Sequence, residues 1–321
     1  MISIDSNKVE KAKALYATEL KDFADTAVKK LKALKARETT LTAIEIQYLD
    51  NLIADLPQLV GAKTSDLLNK IQKFPPLPKR KIRKPKKGPK PKQLTEKIII
   101  AMGYKELRDS FLAKYFHTIG IKACVYCNCL LTVTTEDIGG SIRAKFQVDH
   151  YRSKNTYPCF SISLYNLYPV CGPCNNIKKE HLVELDLYND NLSANLVSRH
   201  KFSLDRASIS KYITSRNFED LKITYLEDPI TLSGAKTFQE VFDISGIYNT
   251  QKDVAEELIL KARIYNKPYK QMLINAFPKL FSDQSLSNRI IIGNYMEIEN
   301  IHKRPMAKFT QDIARQLKLI K

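Results

Sequence analysis

Apolar residues recur every three or four positions along the first part of the chain. Val9, Ala12, Tyr16, Leu20, Phe23, Ala27, Leu31 and Leu34 form one stripe, with Lys, Glu and Asp on the other faces. That period predicts an amphipathic helix packed on one side. "TAIE" at 42–45 has the form of a capping box and predicts the start of a second helix, which Pro57 stops or just follows. A third, short helix is expected from about Thr64. Helical spacing returns over 95–118, with Tyr104, Leu107, Phe111, Leu112, Tyr115 and Phe116 on the apolar side and Gly120 as the stop. From about residue 183 short strand-like runs such as "LKITYLE" (221–227) alternate with helices expected near 251–265, 268–277, 284–292 and 306–318. Pro305 is expected in the first turn of the last of these. No internal repeat is visible. The pattern predicts an α+β fold that is mostly helical.

Between the helical regions, residues 74–93 ("FPPLPKRKIRKPKKGPKPKQ") break every period and hold six of the 14 prolines. Proline blocks helix and sheet pairing, and like charges repel, so an extended, solvated linker is expected. Lys79, Arg80, Lys81, Arg83, Lys84, Lys86, Lys87, Lys90 and Lys92 supply half of the net charge of +18. Such an excess points to a polyanionic partner, nucleic acid first. A cationic linker tracks a phosphate backbone without reading its sequence; the bland reading is a solubilising spacer. The chain contains no run of 18 apolar residues, and its start lacks the apolar core of a signal peptide, so a cytoplasmic protein with no membrane association is expected.

All six cysteines fall between 124 and 174. "CVYC" (Cys124, Cys127) and "CGPC" (Cys171, Cys174) are two Cys-x-x-Cys knuckles, and four thiolates together make the tetrahedral cage that zinc prefers. Cys129 and Cys159 fall outside the pairing, although Cys129 is an alternative to Cys127 as a ligand. Inside the loop joining the knuckles lie Asp149 and His150 in "VDHYRSK", then Asn166 in "LYNLYPVC", and Asn175 follows the last knuckle in "CGPCNNIKK".

The order Cys-x-x-Cys, Asp-His, Asn-Leu, Cys-x-x-Cys-Asn with a Lys soon after resembles the HNH nucleases and their ββα-metal finger. The resemblance covers residues 121–182 of 321. It departs at Ser153, where the family often has Pro, and at Asn175, where it often has His. The resemblance implies an endonuclease that hydrolyses DNA phosphodiesters, with His150 as base, Asp149 and Asn175 as ligands of Mg²⁺ or Mn²⁺, and Asn166 structural. The chemistry of the residues agrees. A neutral imidazole takes a proton from water near pH 7. A carboxylate and an amide oxygen suit a hard cation. Asn166 would brace the loop, and zinc would hold the finger together without touching substrate. Arg152 and Lys154 are candidate phosphate contacts or plain loop cations, and Asn176 is an alternative to Asn175. His117, His181, His200 and His302 lack such a frame and are assigned no part in the site.

The chain then divides into a helical hairpin at 1–73, for self-association or docking of a partner protein, and the basic linker at 74–93. An HNH nuclease domain with zinc knuckles follows at 94–182, and a mainly helical region at 183–321. "HKRPMAK" (302–308) resembles a segment of bacterial HNH proteins, some encoded near ATPases in phage-defence loci, which implies an ATPase partner and an antiviral setting. The competing expectation is a zinc-stabilised nucleic-acid-binding subunit with no catalysis.

Overall fold

The computed structural model describes residues 3–80, 91–185, 187–188, 200–281 and 283–320. Its first helices are α1 (Ser6–Leu15), α2 (Ala17–Arg37), α3 (Ala43–Leu59) and α4 (Thr64–Lys70). The stripe expected to be one helix is broken at Tyr16, whose backbone leaves helical geometry at φ −108, ψ 19. The break sets the Tyr16 ring edge-on to Phe111 and its hydroxyl within 3.0 Å of Thr118 Oγ1. Both halves bury Val9, Ala12, Leu20, Ala27, Leu31 and Leu34 of the stripe, with Tyr16 and Phe23 half-buried and Ala24 buried beside them. The capping box forms as expected, with Thr42 and Glu45 exchanging hydrogen bonds, and α3 runs two residues beyond Pro57.

The described helices on the two sides of the linker pack together. α2 lies along α5 (Leu94–Ala101) as well as along α3. Lys97 pairs with Glu38 at 2.7 Å, and the Leu164 amide donates to the Val60 carbonyl at 2.9 Å. Helices 1–73 and the cysteine region therefore share one core.

After α5, Gly103 adopts the left-handed conformation (φ 72) that glycine tolerates best. The chain resumes as α6 (Tyr104–Glu106), a π-helical turn at Leu107–Phe111 and α7 (Leu112–Ile119), which Gly120 ends at φ 82. The hairpin β1 (Val133–Glu136) and β2 (Ile142–Lys145) follows. Next come β3 (Gln147–His150) and β4 (Leu167–Val170), antiparallel with His150 opposite Leu167, and then α8 (Gly172–Lys178).

The remainder holds β5 (His200–Leu204) and β6 (Ile223–Glu227), paired antiparallel, with α9 (Arg206–Ser215) between them. It continues with α10 (Phe238–Phe242), α11 (Ile244–Asn249), α12 (Lys252–Ile264), α13 (Lys267–Ala276), α14 (Pro278–Phe281), α15 (Gln284–Ile292) and α16 (Ala307–Gln316). The fold is α+β and mostly helical, as the periodicity predicts. Pro305 does not lie in the first turn of the last helix. It precedes Met306, whose left-handed backbone (φ 59) starts α16 at Ala307. His200 and His302, in segments that read as polar, are both buried. Among the described residues no helix is long and apolar enough to cross a membrane.

Candidate metal centre and histidine pocket

Cys124, Cys127, Cys171 and Cys174 are buried, and their sulfurs all lie within 4.8 Å of one another. Tetrahedral Zn–S bonds of about 2.3 Å place sulfurs about 3.8 Å apart, and Cys127 and Cys171 stand 4.0 Å apart. Backbone amides point at two of the sulfurs: Cys129 N–H at Cys127 Sγ (3.4 Å) and Cys171 N–H at Cys124 Sγ (3.3 Å). Such donors stabilise thiolates. Burial pushes the Cys124 thiol up, while hydrogen bonding to Cys124 and the other thiols holds Cys127 and Cys171 below the ordinary range. Thiols that compete in this way for protons are satisfied together by one soft dication. The donor set fits zinc. Cys129 contributes its amide rather than its sulfur, and Cys159 lies in the core with its N–H on Tyr48 Oη at 3.3 Å.

His150 closes β3 and is 6% exposed. Its Nε2 is 3.0 Å from the Ser161 carbonyl, and its ring meets Tyr104 edge-on at 4.5 Å. Burial, and then the charge of Lys154, pushes the imidazole down to about 3, so it is neutral at pH 7. A neutral ring facing a carbonyl with Nε2 must carry its proton there, which leaves Nδ1 as the lone pair. Lys154 stands over the Tyr104 ring, 4.4 Å from its centroid. Burial, and then Arg108 on the π-helical turn, lowers the affinity of Lys154 for its proton. Two cations and a neutral base thus gather around one tyrosine.

Asp149, one position earlier on the strand, has a different environment. Its Oδ2 accepts the Tyr126 hydroxyl at 2.7 Å and the Lys178 ammonium at 2.8 Å, both partners being buried. Lys178 also donates to the His150 carbonyl at 3.3 Å, so the pair tethers the end of the strand to α8. Burial raises the Asp149 carboxyl, and Lys178 opposes that shift. Asn175 donates its Nδ2 to Gln147 Oε1 at 2.7 Å, while Asn176 is exposed. Of the two, Asn175 faces the strand. Carboxylate and amide oxygens suit Mg²⁺ chemically, but an ammonium already occupies the carboxylate. As the side chains stand, Asp149 and Asn175 do not fit a hard dication.

Asn166 spans the loop between the strands: Oδ1 accepts Arg152 N–H at 2.7 Å, and Nδ2 donates to the Arg152 and Phe160 carbonyls, each at 3.1 Å. Arg152 lies over Tyr151, and its buried Nε has no hydrogen-bond partner among the described residues. On the linker, Lys79 and Lys92 are exposed. Arg80 is not available as a free cation, because its guanidinium is committed to Thr40 and to fully buried Glu45. Lys81, Arg83, Lys84, Lys86, Lys87 and Lys90 lie outside the described residues.

Tyr104, Arg108, Tyr126 and Lys178 join the site through the fold rather than through a sequence motif. Only the Lys after "CGPCNN" carried a local signal; the other three reach the site from elements distant in sequence. Comparison of the chain with protein families, with curated proteins and with solved structures finds no match.

Proposed function

We propose that the chain is an endonuclease of the HNH kind, hydrolysing DNA phosphodiesters with His150 as general base. The observation that carries this reading is the His150 imidazole, neutral and anchored through Nε2–H on Ser161 so that Nδ1 is left to accept a proton. It sits at the end of the first strand of a strand–strand–helix unit whose helix begins in the cysteine cluster. In this reading Nδ1 takes a proton from water as the oxygen attacks phosphorus, the P–O bond to the leaving sugar oxygen breaks, and that oxygen takes a proton from solvent. Lys154 in this reading supplies positive charge for the phosphate, and Arg108, paired with Asp109 at 2.8 Å, adds to it once released. A base held near 3 is weak; burial is the main cause, and an arriving phosphate offsets only the smaller contribution of Lys154. Asn166 keeps the loop that carries Arg152 and Lys154 in register.

Magnesium or manganese requires Asp149 to leave Lys178, and no step is assigned to it. A second reading, a zinc-stabilised nucleic-acid-binding subunit without catalysis, is favoured by that same Asp149–Lys178 pair. An ATPase partner and an antiviral setting belong to either reading.

Plasmid, linear and single-stranded DNA incubated with Mg²⁺, Mn²⁺ or EDTA separate the two readings. The nuclease reading expects cutting, and expects His150→Ala, with His150→Gln as the variant that preserves packing, to lose ~10² to 10⁴ in single-turnover rate while zinc content and DNA binding hold. Equal rates for wild type and both variants would remove His150 as the base. No cutting under any condition leaves the binding subunit.

A further inference from the structure

Every residue of "HKRPMAK" (302–308), which the nuclease reading leaves unused, has a place in the structure. The buried His302 offers its carbonyl to the amides of Lys122 (2.7 Å) and Ala123 (3.1 Å), immediately before Cys124. On the other side of the first knuckle, Asn128 follows Cys127 and is buried in a left-handed conformation (φ 53). Its Nδ2 donates to the Ile301 carbonyl at 3.1 Å, its Oδ1 accepts Lys308 N–H at 3.0 Å, and its carbonyl accepts Met306 N–H. The Lys308 ammonium turns inward onto Asp312. The segment is thus fastened to both ends of the zinc knuckle.

Positive charge collects beside this segment, with Arg304 exposed and donating to the Gly293 carbonyl at 2.8 Å, and Arg289 and Lys303 half-buried. Arg289 from α15, Lys303 and Arg304 converge on Tyr295, at 5.2, 5.3 and 5.6 Å from its ring centroid. None of the three forms an ion pair among the described residues. The nearby acids are occupied or aimed elsewhere: Glu297 takes Ser285 and Asn300, and Glu299 lies toward Lys8. Burial first, and then Lys303, lowers Lys8 from its ordinary range, a further sign of crowded positive charge. The tyrosine quadrupole attracts each cation singly, but it does not cancel their mutual repulsion. A row of anions does.

We infer that Arg289, Lys303 and Arg304, gathered on Tyr295, form a contact for the phosphate backbone of a nucleic acid, held in place by the zinc knuckle through Asn128. The patch reads charge and not sequence. It is remote from the linker in sequence, and it does not depend on whether His150 cuts.

The test is binding of a random-sequence duplex, followed by fluorescence anisotropy from 50 to 200 mM salt, with the linker left intact. Arg289→Gln/Lys303→Gln/Arg304→Gln should lower the slope of log affinity against log salt by about two to three, since each phosphate contact contributes about 0.9. The loss should be similar for unrelated sequences. Arg304→Gln alone, at an exposed position, should lower the slope by about one with zinc content and melting midpoint unchanged. An unchanged slope in the triple variant overturns the inference. If the triple variant loses zinc or melts early, the single variant decides, and an unchanged slope there overturns it equally. Wild type that fails to bind duplex also overturns it. So does polyglutamate of matched charge whose binding depends on these residues as strongly as that of DNA, which would assign the patch to an acidic protein. Failure of His150 to support cutting, with this binding intact, counts against the nuclease reading alone.

Discussion

The cysteine cluster and the Asp149–His150 pocket occupy the same strand–strand–helix unit, yet their assembly differs. In the cluster, each Cys-x-x-Cys places two sulfurs on one side of a tight turn, and the turns are joined by the Val125 amide on the Pro169 carbonyl at 3.5 Å and the Cys171 amide on Cys124 Sγ at 3.3 Å. Few other arrangements satisfy four buried thiols. In the pocket, each side chain is claimed by a partner from elsewhere: His150 by Ser161 and Tyr104, Asp149 by Lys178 and Tyr126. Ligands spaced closely along the chain make a centre that local geometry nearly dictates. Groups whose meaning lies in distant partners do not.

The sharpest way to break the comparison is at the cluster. Cys171→Ser should strip zinc, expected at one per chain, and cost most of the fold of residues 121–182, because structural zinc carries folding free energy. The loss should reach the segment docked on Asn128. Metal analysis and a thermal melt check this; unchanged zinc and midpoint would dissolve the assignment.

The pocket comes next. Lys178→Met leaves the Asp149 carboxylate buried without its partner and should cost about 3–5 kcal/mol, read as a shift in denaturant midpoint at constant m. Asp149→Asn combined with Lys178→Met should recover most of that loss. If the single variant is as stable as wild type, the ion pair does not hold α8 to the strand, and Asp149 is free for other work. Divalent-dependent cutting that survives Lys178→Met but not Asp149→Ala would then show the carboxylate serving a metal.

The smallest effect on the fold leaves both regions intact. Changing the linker cations other than Arg80 to Gln should weaken DNA binding alike for all sequences and flatten its salt dependence, with no change in zinc content or melting. Arg80 is kept because its removal would leave the buried Glu45 carboxylate without its main partner. An unchanged salt slope would make the segment a spacer.

Much of the helical architecture was legible, because a stripe such as Val9–Leu34 is a local record of which face is buried. The break at Tyr16 was not, since the ring it packs against, Phe111, lies far along the chain. The cysteine ligands could be picked out by spacing, and the order of Asp149, His150, Asn166 and Asn175 drew attention to one loop. The pairing of Asp149 with Lys178 and the reach of Tyr104 onto His150 could not, and neither could the burial of His200 and His302 in segments that read as polar.

By itself the sequence determined what short-range geometry controls: helical faces, the capping box at Thr42, the stop at Gly120, two turns able to hold four sulfurs, and a concentration of charge between residues 79 and 92. Only the tertiary structure decided which polar groups were spent on one another. A side chain's spacing along the chain says which way it points, whereas its charge state and availability depend on the burial and partners that folding brings to it. That is why Arg80 and Asp149 look free in the sequence and are both bound in the fold.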